Sequence, residues 1–292
     1  MKLWKSKAER GSVWLIRLIA WLARSAGRRV CRALLYPIVA YFLATDPVAR
    51  RASREFLDAA QGRPAGWRDV FAHLHWFAAT LLDRVYMASG EFSRFQVTVD
   101  GDALVRNALK PGKGCVLLGS HLGSFDLMML ANRSMSDLPI HVLMHVDPRS
   151  RLRRIAGIDD RRLQVIALGR PDSFLRAFDV LERGGIVAAL ADRVDNGSAS
   201  LDSAFFGRRA SFPLGPHILA ARAGASVLMC FGLYEGAASY RIEFVEFGPA
   251  ATAQSRGAAL QPVVDRYVAM LERYARRTPK NWFNFYPYWA GG

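Results

Sequence analysis

From about residue 94 onward, short β-rich apolar runs alternate with segments of helical periodicity. That alternation restricts the chain to an α/β layered core. The spacing predicts strands over 95–99, 114–119, 139–146, 163–168, 185–191, 225–232 and 239–246. It predicts helices over 101–109, 124–133, 172–183, 213–223 and 257–277. The runs Cys115-Val-Leu-Leu118 and Ile186-Val-Ala-Ala-Leu190 lack polar alternation, as central strands covered on both faces require. The expected fold is α/β, a mixed and mainly parallel sheet flanked by helices. Ahead of it, 48–60 and 67–89 read as helices, broken at Gln61-Gly62-Arg63-Pro64.

The first fifth of the chain has a different character. Residues 1–54 carry twelve basic side chains against two acidic ones, Glu9 and Asp46, so most of the net charge of +15 lies there. Two apolar stretches, 13–23 and 33–44, are embedded in this basic field. Neither reaches the roughly 20 residues that cross a bilayer. Trp14 and Trp21 are seven apart and share a helical face, as interfacial anchors do. The division expected is a membrane-anchoring helical region over 1–60 and a catalytic domain over 61–292. A helix pair packed on the domain, or a shallow hairpin in one leaflet, also fits these residues. A cleaved leader fits less well, because Arg17 interrupts the apolar region and no small-residue cleavage site follows. Cys31, Cys115 and Cys230 are odd in number and far apart, which favours a reducing compartment.

The segment with chemistry in it runs from Gly114 to Asp126. A buried strand ends at Gly119, His121 follows, Gly123 permits a tight turn, and a helix starts near Ser124. Open α/β sheets hold ligands at this carboxyl edge. Were His121 and Asp126 on one continuous helix, five residues would turn them about 140° apart. With His121 in the loop and Asp126 in the first helical turn, the carboxylate reaches one imidazole nitrogen. The other nitrogen is then free to take a proton from a hydroxyl. The aromatic tail, Trp282 to Trp289, reads as core or as a membrane rim.

Other chemistries fit poorly. The basic residues interleave with Leu, Ile, Val and Trp, and no nucleic-acid motif is present, so no nucleic-acid partner is expected. Ser120 lacks the G-x-S-x-G frame of a serine hydrolase, and Gly112-Lys113-Gly114 lacks P-loop spacing. His73 and His75 face apart on a helix. His141 and His145 share a strand face, with no carboxylate or cysteine completing a set. No metal and no cofactor is expected.

His121-Leu-Gly-Ser-Phe-Asp126 resembles the H-x4-D/E motif of the glycerolipid and lipid A acyltransferases. A second block, Asp192-Arg193, Phe205-Phe206-Gly207 and Phe212-Pro213-Leu214-Gly215-Pro216, resembles the D-Q, FFG and FPxGP segments of the bacterial lipid A biosynthesis branch. The tail Thr278 to Phe285 is similar to that branch's closing segment, so the resemblance spans roughly residues 70–290. Arg193 stands where that branch usually has Gln, and Asp126 where many members have Glu. The resemblance implies transfer of a fatty acyl group from acyl carrier protein or acyl-CoA to a lipid or glycolipid hydroxyl, without an acyl-enzyme. It also implies the cytoplasmic face of a bacterial inner membrane, reached monotopically or through a single N-terminal anchor. His121 would be the general base and Asp126 its partner. Oxyanion and substrate contacts would come from Gly123, Ser124, Asp192, Arg193, Pro213 and Gly215 and from a middle-region arginine. Arg149, Arg153 and Arg170 compete for that last place, Arg149 favoured because it follows strand 139–146. The rival reading is a non-catalytic lipid-binding protein of the same fold.

Overall fold

The computed structural model describes residues 27–109, 112–124, 139–145, 163–195 and 197–289. The stretch 13–23, most of the helix expected over 124–133, Asp126, Arg149 and Arg153 lie outside these residues. The described residues form two compact units, one of 27–95 with 275–289 and one between 96 and 274.

The first unit is helical. Helix α1 spans Gly27–Thr45, α2 Pro47–Gln61 and α3 Trp67–Ala88. Cys31, Leu35 and Val39 recur every four residues on α1 and are its buried stripe. Asp46 caps α2 by accepting from the Ala49 N–H at 3.0 Å. Pro47 starts that helix, and Gly62, at φ 66°, ends it in the left-handed conformation a C-terminal glycine supplies. Asp83 on α3 is fully buried and takes both forks of the Arg28 guanidinium at 2.8 Å, tying α1 to α3.

The aromatic tail is core. Trp282 is fully buried with its ring 4.5 Å from Phe56, and Phe283 and Trp289 are buried too. His73 pins this tail. Its Nε2–H donates to the Trp282 carbonyl at 3.0 Å, so Nδ1 accepts from the Ser53 hydroxyl at 2.8 Å.

The second unit is built on a seven-stranded sheet. Its strands are β1 (Gln96–Asp100), β2 (Cys115–Gly119), β3 (Ile140–His145), β4 (Leu163–Leu168), β5 (Ile186–Leu190), β8 (Ser226–Gly236) and β9 (Ser239–Glu246). Their order is β1-β9-β8-β2-β5-β3-β4. Every neighbouring pair is parallel except β8–β9, which the tight reversal after Gly236 turns antiparallel. This is the mixed, mainly parallel sheet the alternation predicts. All five residues of β2 are buried, as a central strand demands. Helix α4 (Asp102–Leu109) packs on β8 and β9, α5 (Ser173–Glu182) on β3, β4 and β5, and α6 (Gly215–Ala223) on β2. Helix α7 (Gln261–Arg277) closes the order and begins later than expected, after a 3-10 turn over Gly257–Leu260.

Ahead of α6 the chain also departs from expectation. Residues 200–213 form an antiparallel hairpin, β6 (Ser200–Phe205) with β7 (Arg208–Pro213), as a separate two-stranded sheet. The helix expected from residue 213 therefore starts at Gly215. The hairpin turns on Phe206 and Gly207, both left-handed at φ 54° and 72°. That geometry normally selects Asn-Gly, so Phe-Gly hides the turn from a sequence reading.

Candidate active site

Strands β2 and β5 lie side by side in parallel, with Gly119 opposite Leu190. The chain leaves both strands at the same edge, and the Ala191 N–H still donates to the Gly119 carbonyl at 3.1 Å. Two residues past one strand is His121, and two past the other is Asp192. Adjacent parallel strands of matched register bring these side chains together across 71 positions of sequence.

Asp192 holds His121 twice. Oδ2 accepts the His121 backbone N–H at 2.9 Å, and Oδ1 lies 2.9 Å from Nδ1. The Asp192 side chain is fully buried, whereas that of His121 remains 32% exposed. Burial works against the charge on Asp192. The His121 ring, its hydrogen bonds and the Arg193 guanidinium outweigh that, and the carboxyl sits below its usual range. Ionised, it only accepts, so Nδ1 carries the proton and Nε2 keeps its lone pair. Burial also pushes His121 below the ordinary histidine value, against the raising effect of Asp192 and with help from Arg193. The ring is therefore neutral at neutral pH.

Nδ1 is thus engaged by Asp192, the carboxylate that the sequence reading held for substrate contact. Asp126, expected to orient His121, lies outside the described residues. A sequence signal for Asp192 exists in hindsight. Two apolar buried runs each end in a polar side chain two positions on, which matters only once the strands are known to be neighbours.

The loop after His121 is clamped. Gly123 bridges Gly232 of β8, and the Ser124 N–H donates to the Gly232 carbonyl at 2.7 Å. Gly123 has φ 86°, and a Cβ there would stand 2.0 Å from the Gly232 oxygen. Only glycine allows that approach. Ser124 is buried, and the Ser120 hydroxyl accepts the Leu122 N–H at 3.3 Å.

A second support comes from Tyr267 on α7. Its fully buried hydroxyl donates to the Gly119 carbonyl at 2.9 Å, and its ring meets Phe212 of β7 edge-on at 6.1 Å. Phe205 packs against Phe212, and the Phe206 N–H donates to Glu272 of α7 at 2.6 Å. The Phe-Phe-Gly and Phe-Pro motifs thereby brace the end of β2. Sequence reasoning had no sign of Tyr267 or Gly232, each more than a hundred positions from the loop it holds.

The remaining candidates separate. Arg193 is half-buried on the chain leaving β5, close enough to depress the His121 pKa. Arg170 is exposed in the turn after β4, three strands from β2, with Asp172 3.8 Å away. Pro213 ends β7 opposite Ser200. At Gly215 a Cβ would meet the Phe174 ring at 2.8 Å, so the glycine serves the packing of α5 on α6. Among the described residues no three His, Cys, Asp or Glu side chains converge as a metal site would need. Among them, too, no helix is long and apolar enough to cross a membrane.

Residues 71–290 match a family model described as bacterial lipid A biosynthesis acyltransferase. No curated protein matches the chain.

Proposed function

The chain belongs to the bacterial lipid A biosynthesis acyltransferase family, and on that premise we propose that it moves a fatty acyl group from acyl carrier protein or acyl-CoA to a hydroxyl of a lipid A-like glycolipid or related lipid. The observation that carries the reading is the pair of hydrogen bonds that buried Asp192 accepts from the His121 backbone and ring, which leaves Nε2 its lone pair on a partly exposed side chain.

The steps follow from that tautomer. The acceptor hydroxyl gives its proton to Nε2 as its oxygen attacks the thioester carbonyl. Asp192 fixes the ring and stabilises the imidazolium. The carbonyl oxygen becomes an oxyanion. Of the amides in this loop, those of His121, Leu122 and Ser124 are engaged. The Gly123 N–H and the Arg193 guanidinium are the groups to receive the oxyanion. Collapse expels the thiolate, which takes the proton back from His121. No covalent acyl-enzyme is required. In this assignment Asp192 takes the ring nitrogen expected of Asp126. Residues 61–292 would be the acyltransferase domain and 1–60 the part that meets the cytoplasmic face of the inner membrane.

The test is an acyl-transfer assay with labelled acyl carrier protein or acyl-CoA and a bacterial lipid extract. Wild type is compared with His121→Ala, Asp192→Asn and Asp126→Asn, each first verified as folded by circular dichroism. Loss of one labelled lipid in His121→Ala and Asp192→Asn is expected, and mass analysis of that lipid names the acceptor. Unchanged transfer in His121→Ala overturns the general-base assignment. Full activity in Asp192→Asn with loss in Asp126→Asn returns the orienting role to Asp126.

A further inference from the structure

The first helical unit carries a surface that neither its core nor the His121 site uses. Helix α1 buries Cys31, Leu35 and Val39, yet Val30 (49%), Leu34 (40%), Tyr41 (64%) and Phe42 (44%) are exposed. After Arg32 the helix has no charged residue through Thr45. The apolar surface continues through Val48 of α2 and Trp67 of α3, 41% and 62% exposed. A run of exposed large apolar side chains this long marks an interaction site rather than an ordinary solvated face.

What borders it is positive. Arg29, Arg51 and Arg54 are exposed, and among the described residues none is paired with a carboxylate. Where α1, α2 and α3 meet, a cavity of about 310 Å³ opens between Leu43, Ala44, Val70 and Phe71, and Arg50 and Arg54 also line it. Arg50 is occupied, donating to the Leu43 carbonyl at 2.6 Å. Among the described residues Arg54 has no such bond, which leaves its planar fork for a phosphate oxygen.

We propose that the outward face of α1, with Val48 and Trp67, lies in the headgroup region of an anionic phospholipid leaflet. The α1–α2–α3 cavity takes the upper part of one lipid, its phosphate on Arg54. An apolar helix face with aromatic side chains and arginine flanks is the pattern of a helix lying in the interface. Trp67 and Tyr41 sit at headgroup level, as amphipathic rings do. The inference rests on the membrane location proposed above and not on the chemistry at His121.

The experiment is flotation of the full chain with vesicles of phosphatidylcholine alone or mixed with phosphatidylglycerol. Two double variants alter exposed positions only, Leu34→Asp with Tyr41→Asp and Arg51→Glu with Arg54→Glu. Arg51→Lys with Arg54→Lys is the conservative control. Wild type binds the anionic vesicles at least roughly tenfold more tightly than the neutral ones, and each disruptive pair lowers that affinity by at least roughly tenfold. The lysine pair stays near wild type, and brominated lipid quenches the wild type more than Trp67→Phe. Melting temperature, and acyl transfer to acceptor dispersed in detergent, stay as in wild type for all pairs. Wild-type-like binding by either disruptive pair, or equal binding to both vesicle types, overturns the proposal. So does a change in the sedimentation mass of the free protein with vesicle binding intact, since another copy of the chain would then be the occupant. Absent transfer by the wild type in detergent counts against the chemistry and leaves the vesicle comparison standing.

Discussion

Substituting Gly123 by alanine tests whether the loop bearing His121 is held by a close backbone approach. The backbone at this position has φ 86°, where an L side chain costs about 1–2 kcal/mol. The new Cβ would also stand 2.0 Å from the Gly232 oxygen and 2.7 Å from its carbon. Both are backbone atoms of β8, so no rotamer change relieves the overlap. The loop must withdraw by about 1 Å, stretching the Ser124 bond to Gly232, which costs about another 1 kcal/mol. A destabilisation of about 2–3 kcal/mol results, or roughly 4–12 °C in melting temperature. Because His121 is two residues away, misplacement of its ring by about 1 Å lowers kcat by roughly a hundredfold. Differential scanning fluorimetry and the acyl-transfer assay measure the two effects. Gly123→Asn separates the causes. Asparagine tolerates a positive φ but carries the same Cβ, so it should be nearly as damaging as alanine. If asparagine restores stability and rate, the approach to Gly232 is not what matters. If alanine itself melts and turns over like wild type, the whole account of the loop is wrong.

Other consequences can be measured alongside. The rate should rise with pH through a value below 6.5, because His121 must be neutral and burial lowers its pKa. In Asp192→Asn the His121 ring itself, followed by NMR titration, should titrate lower still, since the carboxylate was raising it. A limb above 6.5 in the wild type contradicts the assignment. Arg193→Gln should lower kcat by roughly a hundredfold while leaving KM for the donor within a few-fold, with Arg193→Lys intermediate. An unchanged kcat removes Arg193 from the oxyanion site. His73 and His217 are buried and lowered to about 4, so the unfolded chain binds their protons first as pH falls. Their stability contribution is full above pH 6.5 and is lost between 6.5 and 4, about 3 kcal/mol for each. Urea titrations across that range should show it, and His217→Leu should flatten the slope by one proton. An unaltered slope in that variant means the ring titrates normally in the fold.

The sequence exposed the sheet wherever burial forces a recognisable run. Cys115-Val-Leu-Leu118 and Ile186 to Leu190 can be little else than interior strands, and the structure has them there. Residues 200–213 were opaque because their outward face is polar and their turn is Phe-Gly rather than Asn-Gly. At the site, His121 and Gly123 were legible from local spacing. The Asp192 contact was not, because it depends on which strand lies next to β2, and strand order is a property of the assembled sheet. Tyr267 was invisible for the same reason, its hydroxyl meeting a carbonyl 148 positions away. The tail admitted two readings because a run of aromatic rings looks alike in a core and at a membrane rim. Only the burial of Trp282 against Phe56 separates them.

The register of β2 against β5 has a consequence for how activity is gained and lost. A slip of one residue would carry Asp192 about 3.3 Å along the strand and turn its side chain to the opposite face. His121 would then keep its sequence neighbours and lose the carboxylate that orients its ring. Turnover is therefore a reporter of correct strand alignment at the centre of the sheet. During refolding it should return only with the last cooperative step, after helical dichroism has recovered. A proteolytic piece containing residues 112–124 without β5 should be inert, however well its own turn is formed.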